Sequence, residues 1–405
     1  NDFLTGKGKY FFPSTKCLYE GIFLKMALNG EGKISCEGGY EEVGLFKEDQ
    51  LNGYGYIKYE DGSTKEGNFV DGELNGYGKQ IYSNGTIKEG NYKNDELEGE
   101  GEIKWGNGAY EKGNYVEGYL EGKGTYINHL GRKYEGDFID GNFEGNGTMT
   151  WPNGDKYIGE FKQDYRTGYG EYIMNDGTIL KGQFLNGQLS GSGTQEWTDG
   201  SIYTGEFIEG YYHGKGRMEW SEGDVYTGEY VMGNREGQGE YKDNKGNIFV
   251  GTYKEDLKHG YGIQTWSEGD KYEGEYFDGL RHGKGKYTFA SGTVYEGDHF
   301  ESYFQGFGII KYFDGDIYEG EVFDDSENGE GVLKSENGDV YTGQFKDGYK
   351  HGQGKMVYAN GNIYEGLWEN DQEAEGKTTL AKFTTNEKYY ALIIGNNNYD
   401  NLEKL

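Results

Sequence analysis

The sequence predicts an all-β fold, an elongated single-layer antiparallel sheet of stacked hairpins, and three regularities carry that prediction. A 23-residue unit, clearest as YTGEFIEGYYHGKGRMEWSEGDV from Tyr203 to Val225, repeats through nearly the whole chain, with the glycine of Gly205 recurring sixteen times from Gly21 to Gly366. Within the unit, residues alternate with a period of two: Tyr203, Gly205 and Phe207 share one face and Thr204 and Glu206 the other, as do Gly214, Gly216, Met218 and Trp220 against Lys215, Arg217 and Glu219. Between these runs sit turn dipeptides such as Asn84-Gly85, Asn107-Gly108, Asn153-Gly154 and Asp199-Gly200, which are expected to close tight hairpins by reaching positive φ cheaply. Each strand then shows a glycine-and-aromatic face and a polar face.

The elements follow in chain order. Residues 1–18 are the tail of a leading repeat, Gly6-Lys7-Gly8-Lys9-Tyr10, with an irregular link at Pro13. From 19 to 376 the array holds its register. The position two before the first glycine is aromatic at Tyr134, Tyr157, Tyr203, Tyr226 and Tyr272 but polar at Glu42, Lys65, Lys88 and Glu111, so the first third is expected to carry a thinner aromatic stripe. Departures gather late, at His299, Ser302, Val322 and Asp325. Residues 377–388 read as a linker, and 389–405 open with Tyr389-Tyr390-Ala391-Leu392-Ile393-Ile394-Gly395, an apolar run of buried-strand type. At two strands of about 4.8 Å each, sixteen hairpins would stack to roughly 150 Å.

The repeat, Tyr-x-Gly-Glu-Phe, an Asp-Gly or Glu-Gly turn, His-Gly-x-Gly, an aromatic and Asn-Gly or Asp-Gly, resembles the MORN repeat (membrane occupation and recognition nexus). That resemblance covers about nine tenths of the chain and implies a twisted single-layer sheet with a groove along one face. It also implies a scaffold of cytoplasmic, cytoskeletal setting, with the ciliary axoneme favoured. The string ALIIGNNNY from Ala391 to Tyr399 resembles the opening strand and loop of caspase-like domains (peptidase family C14), here truncated. The second resemblance implies a regulatory arm for a cysteine peptidase, whose catalytic His and Cys would lie beyond residue 405.

Composition narrows the partners. The 405 residues carry 71 Asp and Glu against 40 Lys and Arg, a net charge of −31. Nucleic acid and anionic lipid bind through Lys and Arg set against phosphate, so this charge argues against both. Acidic residues on the polar face are expected to keep an edge-rich sheet soluble. Cys17 and Cys36 are the only cysteines, which sets up no disulfide framework and favours a reducing compartment. His213, His259, His282 and His351 recur at one position and read as turn residues rather than zinc ligands. Gly376-Lys377-Thr378 lacks the earlier glycine of a phosphate loop, since Asp371 stands there. Paired carboxylates such as Glu273 and Glu275 face open water, where nothing separates their pKa values for acid–base work. No cofactor, metal or catalytic residue is therefore expected in the array. Enzymatic activity would enter only with an intact downstream domain.

What remains is binding. Folding places the aromatics of every strand on one side as a long apolar stripe, expected to bind partner proteins of a large assembly through amphipathic or basic helices. The residues expected to touch the partner are Trp105, Trp151, Trp197, Trp220 and Trp266, with Tyr203, Tyr226 and Tyr272 beside them. Charge changes at Glu206 and Glu229, on the opposite face, are expected to have little effect on partner capture.

Overall fold

A computed structural model describes residues 4–380, and the peptidase-like segment 389–405 lies outside them. The described residues divide into two compact units, the first ending at Asn244 and the second starting at Lys245, with twenty-one and twelve strands. No helix occurs among the described residues.

Within each unit, strands pair antiparallel with their sequence neighbours. Ile202–Ile208 pairs with Gln188–Glu196 on one side and Tyr211–Glu219 on the other. The recurring glycines fall opposite one another in this ladder, Gly193 against Gly205, Gly205 against Gly216 and Gly216 against Gly228, making a glycine lane across the strands. The sheet is a single layer, so its core is built on one face. Tyr203, Phe207 and Met218 are buried there while Thr204, Lys215 and Arg217 are exposed opposite, as alternation requires.

A lone sheet face buries rings only if something small lies beneath them, and the glycine lane supplies it. The Tyr203 ring lies over Gly205 and Gly216, its hydroxyl donates to the Glu206 carbonyl at 3.1 Å, and it is 0% exposed. Phe207 at 5.1 Å and Tyr230 of the next repeat at 5.4 Å meet it edge-on. Filling this hollow with a ring is worth roughly 1.5–3 kcal/mol per repeat. Repeats with a polar residue at the tyrosine position fill the hollow from the other strand: Leu51, Leu74, Leu97 and Leu120 lie over the glycines where Glu42, Lys65, Lys88 and Glu111 replace tyrosine. One of two fillers is always present.

The two glycines of Gly-x-Gly do different work. Gly205 pairs with Gly216 but Glu206 pairs with His213, so Gly214 and Lys215 bulge against that neighbour, and Gly214 takes φ +58°. The bulge frees the Lys215 N–H, and the Glu206 carboxylate accepts it at 3.4 Å. Glu160 accepts from Tyr169 N–H and Gln344 from Gln353 N–H in the same way. Glu206 and Glu160 on the polar face are thus structural acceptors.

The turns also divide. Two-residue turns such as Glu209-Gly210 take positive φ at both positions, 51° and 82°. The Asn-Gly and Asp-Gly turns between repeats do not. Only their glycine is left-handed, and the preceding side chain accepts from the N–H two residues on, Asn153 from Asp155 at 3.1 Å and Asp199 from Ser201 at 2.8 Å. The dipeptide is the same, but its Asx hydrogen bond selects the longer loop.

Three further expectations are corrected. Cys17 and Cys36 stand directly opposite in the hairpin of Cys17–Leu24 and Ala27–Cys36 and form a disulfide, because a separation of 19 residues brings them into register. His213, His259, His282 and His351 lie in strands, not turns, since the two-residue turns end before them. The last described strand, Gln372–Thr379, carries the ladder past Gly376, with Gly366 against Gly376 and Ile363 against Thr379. The pairing therefore takes up the first three residues assigned to the linker.

Candidate binding face

The inner face is where the side chains converge. In the first unit Trp105, Trp151 and Trp197 are half-buried and Trp220 is 36% exposed, each at the start of an inter-repeat turn. A turn start is the margin of the glycine lane, so the indole covers the end of one hollow and keeps an edge in solvent. Each leans on an aromatic further along the chain: Trp105 on Tyr126 at 6.4 Å, Trp151 on Tyr172 at 5.6 Å, Trp197 on Tyr212 at 6.5 Å and Trp220 on Tyr241 at 6.1 Å. Trp266 of the second unit meets Tyr287 at 5.5 Å. Tyr203, Tyr226 and Tyr272 are 0% exposed. They cannot touch a partner, because lying flat on glycine is what buries them, and they act only as the floor under the face.

The stripe is also less apolar than expected. Nine residues after several of the rings that lie on the glycine lane, a second side chain stacks on the ring: Phe143 on Tyr134 at 4.0 Å, Tyr212 on Tyr203 at 3.8 Å, but Arg166 on Tyr157 at 5.4 Å, Lys258 on Phe249 at 4.5 Å and Arg281 on Tyr272 at 5.7 Å. Arg166 is ringed by Trp151, Tyr172 and Phe184 as well, and its guanidinium donates to the Gly187 carbonyl at 2.5 Å. Burial lowers its pKa, which the facing aromatic and acidic groups partly offset. The face is a mosaic of aromatic rings and ring-stacked cations rather than a continuous oily groove. Sequence reasoning passed over these cations, though the nine-residue offset from Tyr157, Phe249 and Tyr272 marks all three.

In the first repeats the mosaic opens. Tyr59 and Tyr82 occupy the tryptophan position, Lys65 and Lys88 replace the buried tyrosine, and Gln80 stands where Tyr172 backs Trp151. A cavity of about 660 Å³ results, walled by Tyr40, Tyr59 and Tyr82. The polar face, by contrast, carries scattered charge pairs such as Lys123–Asp137 at 2.7 Å and Lys284–Asp298 at 2.6 Å. Its histidines sit among rings, His259 at 5.4 Å and His282 at 5.8 Å from Phe277. Among the described residues no three His, Cys, Asp or Glu come together as a metal site, and no helix is long and apolar enough to cross a membrane.

A family model described as MORN repeat matches thirteen stretches, residues 43–64, 66–87, 89–110, 112–128, 134–156, 157–179, 181–202, 203–225, 226–248, 249–271, 272–294, 318–340 and 341–363. Sixteen recurrences of the glycine are present, and the unmatched stretch 295–317 keeps its strands Val294–Phe300 and Tyr303–Lys311. No curated protein matches the chain. Among solved structures, the SAS-4 (dCPAP) TCP domain of Drosophila melanogaster, in complex with a proline-rich motif of Ana2 (dSTIL), is 14% identical with a TM-score of 0.25. The alignment covers 38% of this chain and 85% of that one. The wild-type TCP10 domain of Danio rerio CPAP is 11% identical with a TM-score of 0.18, over 64% and 99%. Virginiamycin B lyase from Staphylococcus aureus is 12% identical with a TM-score of 0.12, over 76% and 99%.

Proposed function

Because the chain belongs to the MORN-repeat family, whose model matches more than half of it, we propose that it is a non-enzymatic scaffold holding partner proteins on the inner face of its sheet. The observation that carries this reading is the row of half-covered indoles in the first unit. Each already has one side packed and one side in water, so a partner that covers the open side gains apolar burial without reorganising the floor. An amphipathic helix is the partner of choice, its apolar side on the indoles and its polar side in solvent. The strongly acidic surface favours Lys and Arg on that helix, which speeds encounter and fixes register. By its resemblance, the setting is a cytoskeletal assembly, with the ciliary axoneme favoured.

The test is a pull-down with the intact chain. Trp151, Trp197 and Trp220 changed together to Ala should lose the partner retained by the unchanged chain, at a cost of a few kcal/mol, more than 100-fold in affinity. Ile208 and Tyr211 changed to Ser on the opposite face should keep it. Retention by the triple variant would move the interface off this face. A second reading rests on the string from Ala391 to Tyr399, which favours a regulatory arm for a caspase-like peptidase. Sequencing the transcript past the codon for Leu405 tests it: a His-Gly and a Gln-Ala-Cys-type segment supports the peptidase, and their absence leaves the scaffold alone.

A further inference from the structure

The cavity in the first repeats differs chemically from the rest of the face. We propose that it is a receptor for a single arginine side chain of a partner protein, a basic anchor point that adds to the scaffold reading and rests on it. The cavity lies where Gln80 and Lys65 occupy the positions of Tyr172 and Tyr157 around Trp151, and it measures about 660 Å³, within the roughly 300–1,000 Å³ of ordinary ligand sites.

Its walls select a cation in two ways. Tyr40 and Tyr59 meet edge-on at 5.8 Å, with Tyr82 beside them, and tyrosine faces attract positive charge. The chain uses the same chemistry itself, with the Lys65 ammonium 5.9 Å from the centre of Tyr59 and that of Lys88 5.7 Å from Tyr82. Lys65 is spoken for by Asp95 at 2.9 Å, and Glu37 at the rim by Lys16 at 3.0 Å. Glu60 and Asp61 at the mouth make no ion pair with another described residue; Asp61 only accepts from Ser63 and Ser83. The entrance therefore keeps uncancelled negative charge in front of aromatic faces. A guanidinium fits both, since it stacks flat on a ring while its edge donates to carboxylates, which an ammonium does less well.

A seven-residue Gly/Ser peptide with one central arginine serves as probe, and the same peptide with citrulline, equal in shape but uncharged, as its control. Binding is followed by NMR on the full chain carrying ring-labelled tyrosine. The arginine peptide should shift the Tyr40, Tyr59 and Tyr82 signals saturably, and citrulline should bind about tenfold more weakly or not at all. Glu60→Gln should weaken arginine binding severalfold while the signal of buried Tyr134 stays in place, which reports an intact fold. Equal binding of the two peptides, or shifts confined to Tyr172 and Tyr212 beside the indoles, would overturn the proposal. The triple Trp variant should leave these shifts unchanged, so failure of the arginine site and failure of partner capture on the indoles read out separately.

Discussion

At the scale of single residues, the fold depends on glycines whose missing side chain is the point. A Cβ on Gly216 would lie 2.6 Å from the Tyr203 ring, and the ring cannot withdraw because it is buried on every side. Gly216→Ala should therefore destabilise the chain by about 1–3 kcal/mol through overpacking, read as a lower urea midpoint. Gly210→Ala tests a different cause. A Cβ there meets nothing, but φ is +82°, so the expected cost is the backbone strain alone, about 1–2 kcal/mol. His299 offers a pH-dependent counterpart. It takes the place of the strand aromatic, is 3% exposed, and packs edge-on against Tyr272, Tyr295 and Phe304. Burial, helped by the charge of Arg281, lowers its pKa from 6.5 to about 4, against weaker opposition from the Gly297 carbonyl and Asp298. Protonation then favours the unfolded chain, so the neutral ring's stabilisation is complete above pH 6.5. It is lost as pH falls towards 4, by roughly 3 kcal/mol in all. His299→Phe should remove that slope from urea midpoints measured between pH 6.5 and 4. An unchanged slope would mean that His299 titrates normally.

At the scale of the element, the Cys17–Cys36 bridge ties the open end of the hairpin of Cys17–Leu24 and Ala27–Cys36 across a separation of 19 residues. Replacing both cysteines by Ser should cost about 3 kcal/mol by the chain-entropy account, and because repeats contact only their neighbours the loss should stay local. Hydrogen exchange should quicken in Cys17–Leu24 and Ala27–Cys36 and remain as it was in Ile202–Ile208. Uniform acceleration would show instead that the array opens as one. The hairpins were legible in the sequence because glycine spacing and alternation of period two both fix strand position, as at Tyr203, Gly205 and Phe207. The bridge was not, since opposition across a hairpin depends on register, and a two-residue bulge such as that at Gly214 and Lys215 shifts the register in ways that spacing alone leaves open. The candidate face was half legible. Alternation could place Trp220 on its side of the sheet, but not at its margin. The burial of Tyr203 and the stacking of Arg166 could not be read from it, because both follow from a ring lying flat on glycine, a contact that no pattern of polar and apolar residues records.

At the scale of the molecule, a charge of −31 repels itself throughout the folded chain. Added salt screens that repulsion, with a Debye length that falls from about 30 Å at 0.01 M to about 8 Å at 0.15 M, so the thermal midpoint should rise over this interval. A midpoint that falls would mean that pairs such as Lys123–Asp137 outweigh the repulsion. The exchangeable filling of the glycine hollow has a consequence of another kind. Tyrosine from one strand or leucine from the next serves equally, and either belongs wholly to one 23-residue cassette, as Tyr203 and Leu74 do. A duplication or deletion of one cassette therefore carries its own filler with it and leaves both junctions complete. Genes of this kind can lengthen or shorten by recombination in whole steps, and an engineer can splice a cassette bearing an indole or a guanidinium wherever a grip is wanted.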